Sequence, residues 1–85
     1  MAADHAEELG VHDAIELVML NIEGNPQSQA AQGSRTLINL VQHDGNKIRA
    51  RDLNISSRMK IVMEALPDDG TLQWRGSQVL DLIKD

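Results

Sequence analysis

The sequence contains no cysteine, no phenylalanine and no tyrosine, and it carries a single tryptophan. Without cysteine there is no disulfide framework, no thiolate nucleophile and no cysteine–zinc site. With aromatics at 1% of the chain, the core must be aliphatic. Strands enrich aromatic and β-branched residues, so this composition favours helices. Long hydrophobic runs are missing too. The longest unbroken apolar stretch, Leu17 to Leu20, is far short of the roughly 20 residues needed to span a bilayer. The opening residues, Met1-Ala2-Ala3-Asp4-His5, place an acid where a secretory leader needs positive charge. A cytoplasmic protein is expected, with no membrane partner.

The chain has 85 residues and one domain is expected, residues 1–85. Such a chain buries one modest core and leaves little for a deep, walled active site. The net charge of −5 is unevenly spread. Residues 1–34 hold six acids and no Lys or Arg, residues 35–60 hold six of the eight cations, and residues 61–85 are acidic again. A basic middle between acidic ends marks either an interaction face or charges neutralised within the fold.

Three turn signals divide the chain: Gly24-Asn25-Pro26, Asp44-Gly45-Asn46 and Pro67-Asp68-Asp69-Gly70. Before the first lies a helix, opened by an Asp4–Glu7 capping box, with Val11, Ala14, Ile15, Val18 and Ile22 at helical spacing. Leu17, Met19 and Leu20 widen its stripe enough to suggest contact on two sides, either within the fold or with a second copy. Asn25 and Pro26 suit the start of a second helix with Ala30, Ser34, Leu37, Leu40 and Val41 inward and Ile38 at the edge. Ala30 and Gly33 would let another helix approach closely, and Gly45 is placed to end this one at positive φ. Asn46 is expected to cap a short helix from Lys47 to Leu53, and Ser56 or Ser57 one that ends at Leu66 before Pro67. Met59, Val62, Met63 and Leu66 form the inner face of the latter. Residues 71–76 read as extended or irregular, followed by a last helix capped by Ser77 with Val79, Leu80 and Ile83 inward. The fold class is therefore all-α, a compact bundle of four or five short helices. The competing reading is α+β, with a hairpin turning at Asp44-Gly45.

The stretch from Ile48 to Met59 resembles a helix-turn-helix, with Ala50, then Leu53, a turn at Asn54, and Ile55 followed by serines. Arg49, Arg51, Arg58 and Lys60 could face phosphates or an acidic partner. The pattern departs where the second helix should turn an apolar residue inward, since that position is Lys60. Trp74 reads either as a lid on the core or as an interface anchor.

A metal site would need His5, His12 or His43 beside carboxylates such as Glu16, and no ligand spacing supports one. The acids of the first helix read as a solvated face rather than a mimic of DNA. Ser, His and Asp are present without any catalytic arrangement, and the six glycines are scattered singly rather than gathered into a phosphate loop. No cofactor and no enzymatic activity are expected. The leading expectation is a small regulatory binding protein that contacts another protein with an acidic surface through Arg49, Arg51, Arg58, Lys60 and Trp74. A homodimer and a DNA-binding helix-turn-helix regulator are the alternatives.

Overall fold

The computed structural model describes residues 14 to 84. The Asp4–Glu7 capping box, Val11, His5 and His12 lie outside them. The described residues form an all-α bundle with no strand among them. A first helix, α1, is described over 14–24. Then come α2 (Pro26–Leu40), α3 (Asp44–Asp52), α4 (Ile55–Ala65) and α5 (Gly70–Ile83). The last helix is the hub, packing against α2, α3 and α4.

The core is aliphatic. Ile15, Met19 and Ile22 of α1 meet Ala30 and Leu37 of α2, Val41, Ala50 of α3, Ile55, Met59 and Val62 of α4, and Leu72, Val79 and Ile83 of α5. In α1, α2, α4 and α5 these positions, together with Ser34 and Gly76, recur three and four apart, as one buried helical face requires. Ser34 is the buried polar side chain of this core, and its hydroxyl donates to Met59 Sδ at 3.7 Å. Small residues set close approaches, as the sequence suggested for Gly33. A methyl group on Gly33 would run into the Ile22 side chain of α1, and one on Gly76 would lie 2.6 Å from Met63 Sδ.

Turn chemistry departs from the expected scheme at several points. Asp44 and Gly45 form the first turn of α3, so there is no hairpin, and no glycine among the described residues has positive φ. Asn46 does not cap α3. His43 holds that position, while the Asn46 amide donates to Leu40 O of α2 at 2.7 Å. Asn25 stands at the N-cap of α2 and Pro26 opens the helix, but the cap works through the Asn25 backbone carbonyl, which accepts from Gln29 N at 2.8 Å. Ser56 and Ser57 fall inside α4 rather than capping it. Asn54 occupies the turn before it at φ 59° and ψ 37°, the left-handed conformation its place in the motif required.

The largest correction is in α5. Residues 71–76 are helical because the Asp69 carboxylate caps the helix, accepting from Leu72 N at 3.0 Å. Asp69 read as part of a turn, and the stripe Leu72–Gly76–Val79–Ile83 was interrupted to the eye by a glycine that packs inward. Ser77 accordingly lies within the helix.

With no positive-φ glycine among the described residues, free carbonyls at helix ends are met by side chains from other elements. Asn46 serves α2. Arg58 donates to Leu53 O, just past α3, at 3.2 Å. Gln73 Nε2 donates to Met63 O of α4 and to Leu66 O just past it, at 2.9 and 3.0 Å. Arg51 Nε and Nη2 donate to Ile83 O of α5 and to Lys84 O just past it, at 2.5 and 3.1 Å. Four helix ends are thereby tied to other segments of the chain, and the cation-rich middle supplies three of the four tethers, two of them arginines.

Candidate functional site

Arg58 organises the seam between α1 and α4. It lies in the first turn of α4, one residue ahead of buried Met59, which aims it sideways towards α1. Glu16 and Glu23 stand seven residues apart on α1 and therefore share a face two turns long. Arg58 Nε and Nη2 grip Glu23 Oε2 and Oε1 at 2.9 and 2.8 Å. Nη2 and Nη1 also reach Glu16 Oε1 and Oε2 at 2.8 and 3.3 Å. With the bond from Nη1 to Leu53 O, all five N–H donors of the guanidinium are used. The side chain of Arg58 is only 20% exposed.

This pairing moves both titrations. The hydrogen bonds that Arg58 donates to Glu23 and then to Glu16 raise its guanidinium above the ordinary value, so it stays charged at every accessible pH. The hydrogen bond from Arg58 holds the Glu23 carboxyl below the usual 4.5. A carboxyl whose pKa is depressed on folding contributes stability that is present above the unfolded value and lost as pH falls through the folded one. Urea midpoints of the wild type and of Arg58→Ala should therefore converge as the pH is lowered from about 4.5. A gap that stays constant through that window would show that the pair adds nothing to stability.

Apolar side chains border this ion pair. Leu20 lies between Glu16 and Glu23 on α1 and is 51% exposed, and Leu17 beside it is 61% exposed. Ile61, one turn beyond Arg58 on α4, is 66% exposed. A shallow groove of about 300 Å³ runs past it, lined by Glu23, Pro26, Arg58, Ile61, Val62 and Ala65. Its walls are aliphatic, and the charge at its end is already paired.

The residues read from the sequence as a partner-binding set are spread over several roles. The Arg58 guanidinium is saturated by α1 and Leu53. Arg51 reaches the end of α5. Arg49 is half-buried, and its Nε is enclosed without a hydrogen-bond partner. Lys60 is exposed on α4. Trp74 is no lid: it is 63% exposed, because the helical course of α5 gives the inward positions to Leu72, Gly76 and Val79. Arg75, next to it, donates to Ala31 O of α2 at 2.9 Å. Val18, part of the broad α1 stripe, faces α2 beside Gly33, so the spare apolar surface of α1 is carried by Leu17 and Leu20. Those two stood in the sequence as part of one wide stripe, and nothing local distinguished them from the inward-facing Met19.

Among the described residues no three of His, Cys, Asp and Glu come together to hold a metal ion, and no helix is long and apolar enough to cross a membrane. His43 is exposed at the start of α3. Comparison with family models, with curated proteins and with solved structures finds no match to the chain.

Proposed function

We infer that this chain is a non-catalytic binding protein that acts by contact with another protein, through the face formed by Leu17, Leu20 and Ile61. The observation that carries this reading is that exposed Leu20 on α1 and exposed Ile61 on α4 flank an ion pair that is already satisfied, with exposed Leu17 one turn from Leu20. Apolar groups gathered at one seam differ from singly scattered surface residues, and such patches mark contact sites. The buried centre of an interface is also depleted in unpaired charge, and here Arg58 and Glu23 meet that condition before any partner arrives. The cytoplasmic setting expected from the sequence suits this role.

The test compares the wild type with Leu20→Asp in an extract of the native host. The wild type should run above its chain mass of 9.4 kDa. Leu20→Asp should run at chain mass with an unchanged far-ultraviolet spectrum, because an exposed side chain contributes little to the fold. If both run at chain mass, the contact reading is wrong.

A helix-turn-helix DNA-binding regulator remains as a second reading because Asn54 adopts the left-handed turn between α3 and α4. It draws less support than protein contact, since Arg58 is committed within the fold and Lys60 is the other cation of α4. The acidic-surfaced partner expected for Arg49, Arg51, Arg58 and Lys60 is weakened on the same ground. A DNA partner would show a steep loss of affinity with salt, with a slope of about −0.9 per phosphate contacted.

A further inference from the structure

Resting on the contact reading, we propose that the occupant of the Leu17–Leu20–Ile61 face is a second copy of this chain, docked about a two-fold axis beside Ile61 with the two α4 helices antiparallel. The argument is one of charge complementarity. The outward arc of α4 carries Ser57, Lys60, Ile61 and Glu64, all exposed. Lys60 and Glu64 lie one turn apart, and neither has an ion-pair partner among the described residues. In an antiparallel pair about a two-fold axis, a residue before the axis faces the residue equally far beyond it. An axis level with position 62 sets Lys60 of each copy against Glu64 of the other, making two ion pairs per interface. The same axis brings both Ile61 side chains to the centre.

Leu20, which lies between Glu16 and Glu23, extends the contact along α1 on the side where Arg58 binds the helix to α4, and exposed Leu17 stands one turn before it. Near that seam Glu16 and Glu23 are both paired with Arg58 within each copy, which leaves the cluster a single net negative charge for the Lys60–Glu64 pairs to outweigh. Arg58 has no N–H left to offer a partner. Its part is to position: it fixes α1 against α4 so that the three aliphatic side chains lie on one face. A surface bearing both signs at this spacing is complementary to itself, whereas a uniformly acidic or basic partner would satisfy one of the two charges and repel the other.

Charge exchange tests this directly. Sedimentation at micromolar concentration should give the wild type twice the chain mass. Ile61→Asp should give the chain mass with its helical spectrum retained. Lys60→Glu alone sets two acids against each other twice per interface, and Glu64→Lys does the same with cations. Each should raise the dissociation constant about tenfold. The double exchange, K60E with E64K, restores opposite charges across the axis and should recover the wild-type mass. A self-contained surface ion pair could not produce that pattern, because its exchange would leave association untouched throughout.

A wild-type chain mass at the highest soluble concentration overturns the proposal. So does a dimer indifferent to all three charge variants. If the complex in host extract holds a different polypeptide, the second copy is rejected while the contact reading stands. If wild type and Leu20→Asp both run alone there, the contact reading falls as well.

Discussion

Ile22→Ala should destabilise the fold by about 3 kcal/mol, and Gly33→Ala in the same chain should return part of that loss. Ile22 is wholly buried on α1 and lies directly over Gly33 of α2. Truncating it removes three carbons from a closely packed place and leaves a cavity that the two helices close only in part. A chain of this length has a total stability of roughly 4 to 13 kcal/mol, so one such change takes a large share of it. Gly33→Ala alone brings two opposed effects. Alanine favours the helix by about 1 kcal/mol, but its methyl would stand inside the Ile22 side chain, and overpacking of this kind costs about 1–3 kcal/mol. The net result should be a modest loss. Together the two changes place a methyl where Ile22 has vacated space, while Val18 Cγ1, at 3.5 Å, keeps an ordinary contact with it. The double variant should be more stable than the sum of the singles by about 1–2 kcal/mol. Urea titrations followed by circular dichroism measure all four corners of the cycle. Simple additivity would mean that α1 does not sit on Gly33.

Arg58→Ala should cost about 2 kcal/mol, with a distinct failure of α1. The change removes five hydrogen bonds, uncaps Leu53 O, and leaves Glu16 and Glu23 facing α4 without a counter-ion. The carboxylates are about a third exposed, so water screens part of the loss and the figure stays well below that of a fully buried pair. Arg58→Lys should recover less than half of it. An ammonium keeps the charge but cannot fork to two carboxylates and a carbonyl at once. Adding Glu16→Gln and Glu23→Gln to Arg58→Ala should relieve the uncompensated charge and raise the urea midpoint again. Hydrogen exchange should place the weakening in α1 first and then at the end of α3, because these two lose their contacts with Arg58 while the tethered ends of α2, α4 and α5 keep theirs. Uniform acceleration along the chain would contradict the clamp.

Helix identity was legible wherever burial follows a fixed spacing. Ala30, Ser34, Leu37 and Val41 turn inward on α2, and Met59 and Val62 on α4, because neighbours three and four apart share a face in any helix. Asn54 was legible as a left-handed turn because its short polar side chain tolerates that backbone where most residues do not. Other boundaries were misread. Gly45 and Asn46 carry turn chemistry, yet one lies within α3 and the other reaches back to α2. Asp69 looked like a turn residue and is a cap, and Gly76 hid the stripe of α5 by packing against Met63 without a side chain of its own.

The candidate site was less legible than the fold. The charge pattern flagged residues 35–60 as a working surface, but a count of cations cannot tell a solvated side chain from one that closes a helix end. Arg51 closes the end of α5 from more than thirty residues away, and Arg58 closes the end of α3 while it holds Glu23 across a similar span. Likewise the breadth of the α1 stripe showed that apolar surface was in excess without showing which residues were spare. Composition and periodicity by themselves determined an aliphatic, all-helical chain with its inward faces, because these depend on local spacing and on the drive to remove apolar area from water. Only the tertiary structure decided that Leu17, Leu20 and Ile61 stay exposed and that the arginines serve as tethers, because both depend on which distant helix covers each flank.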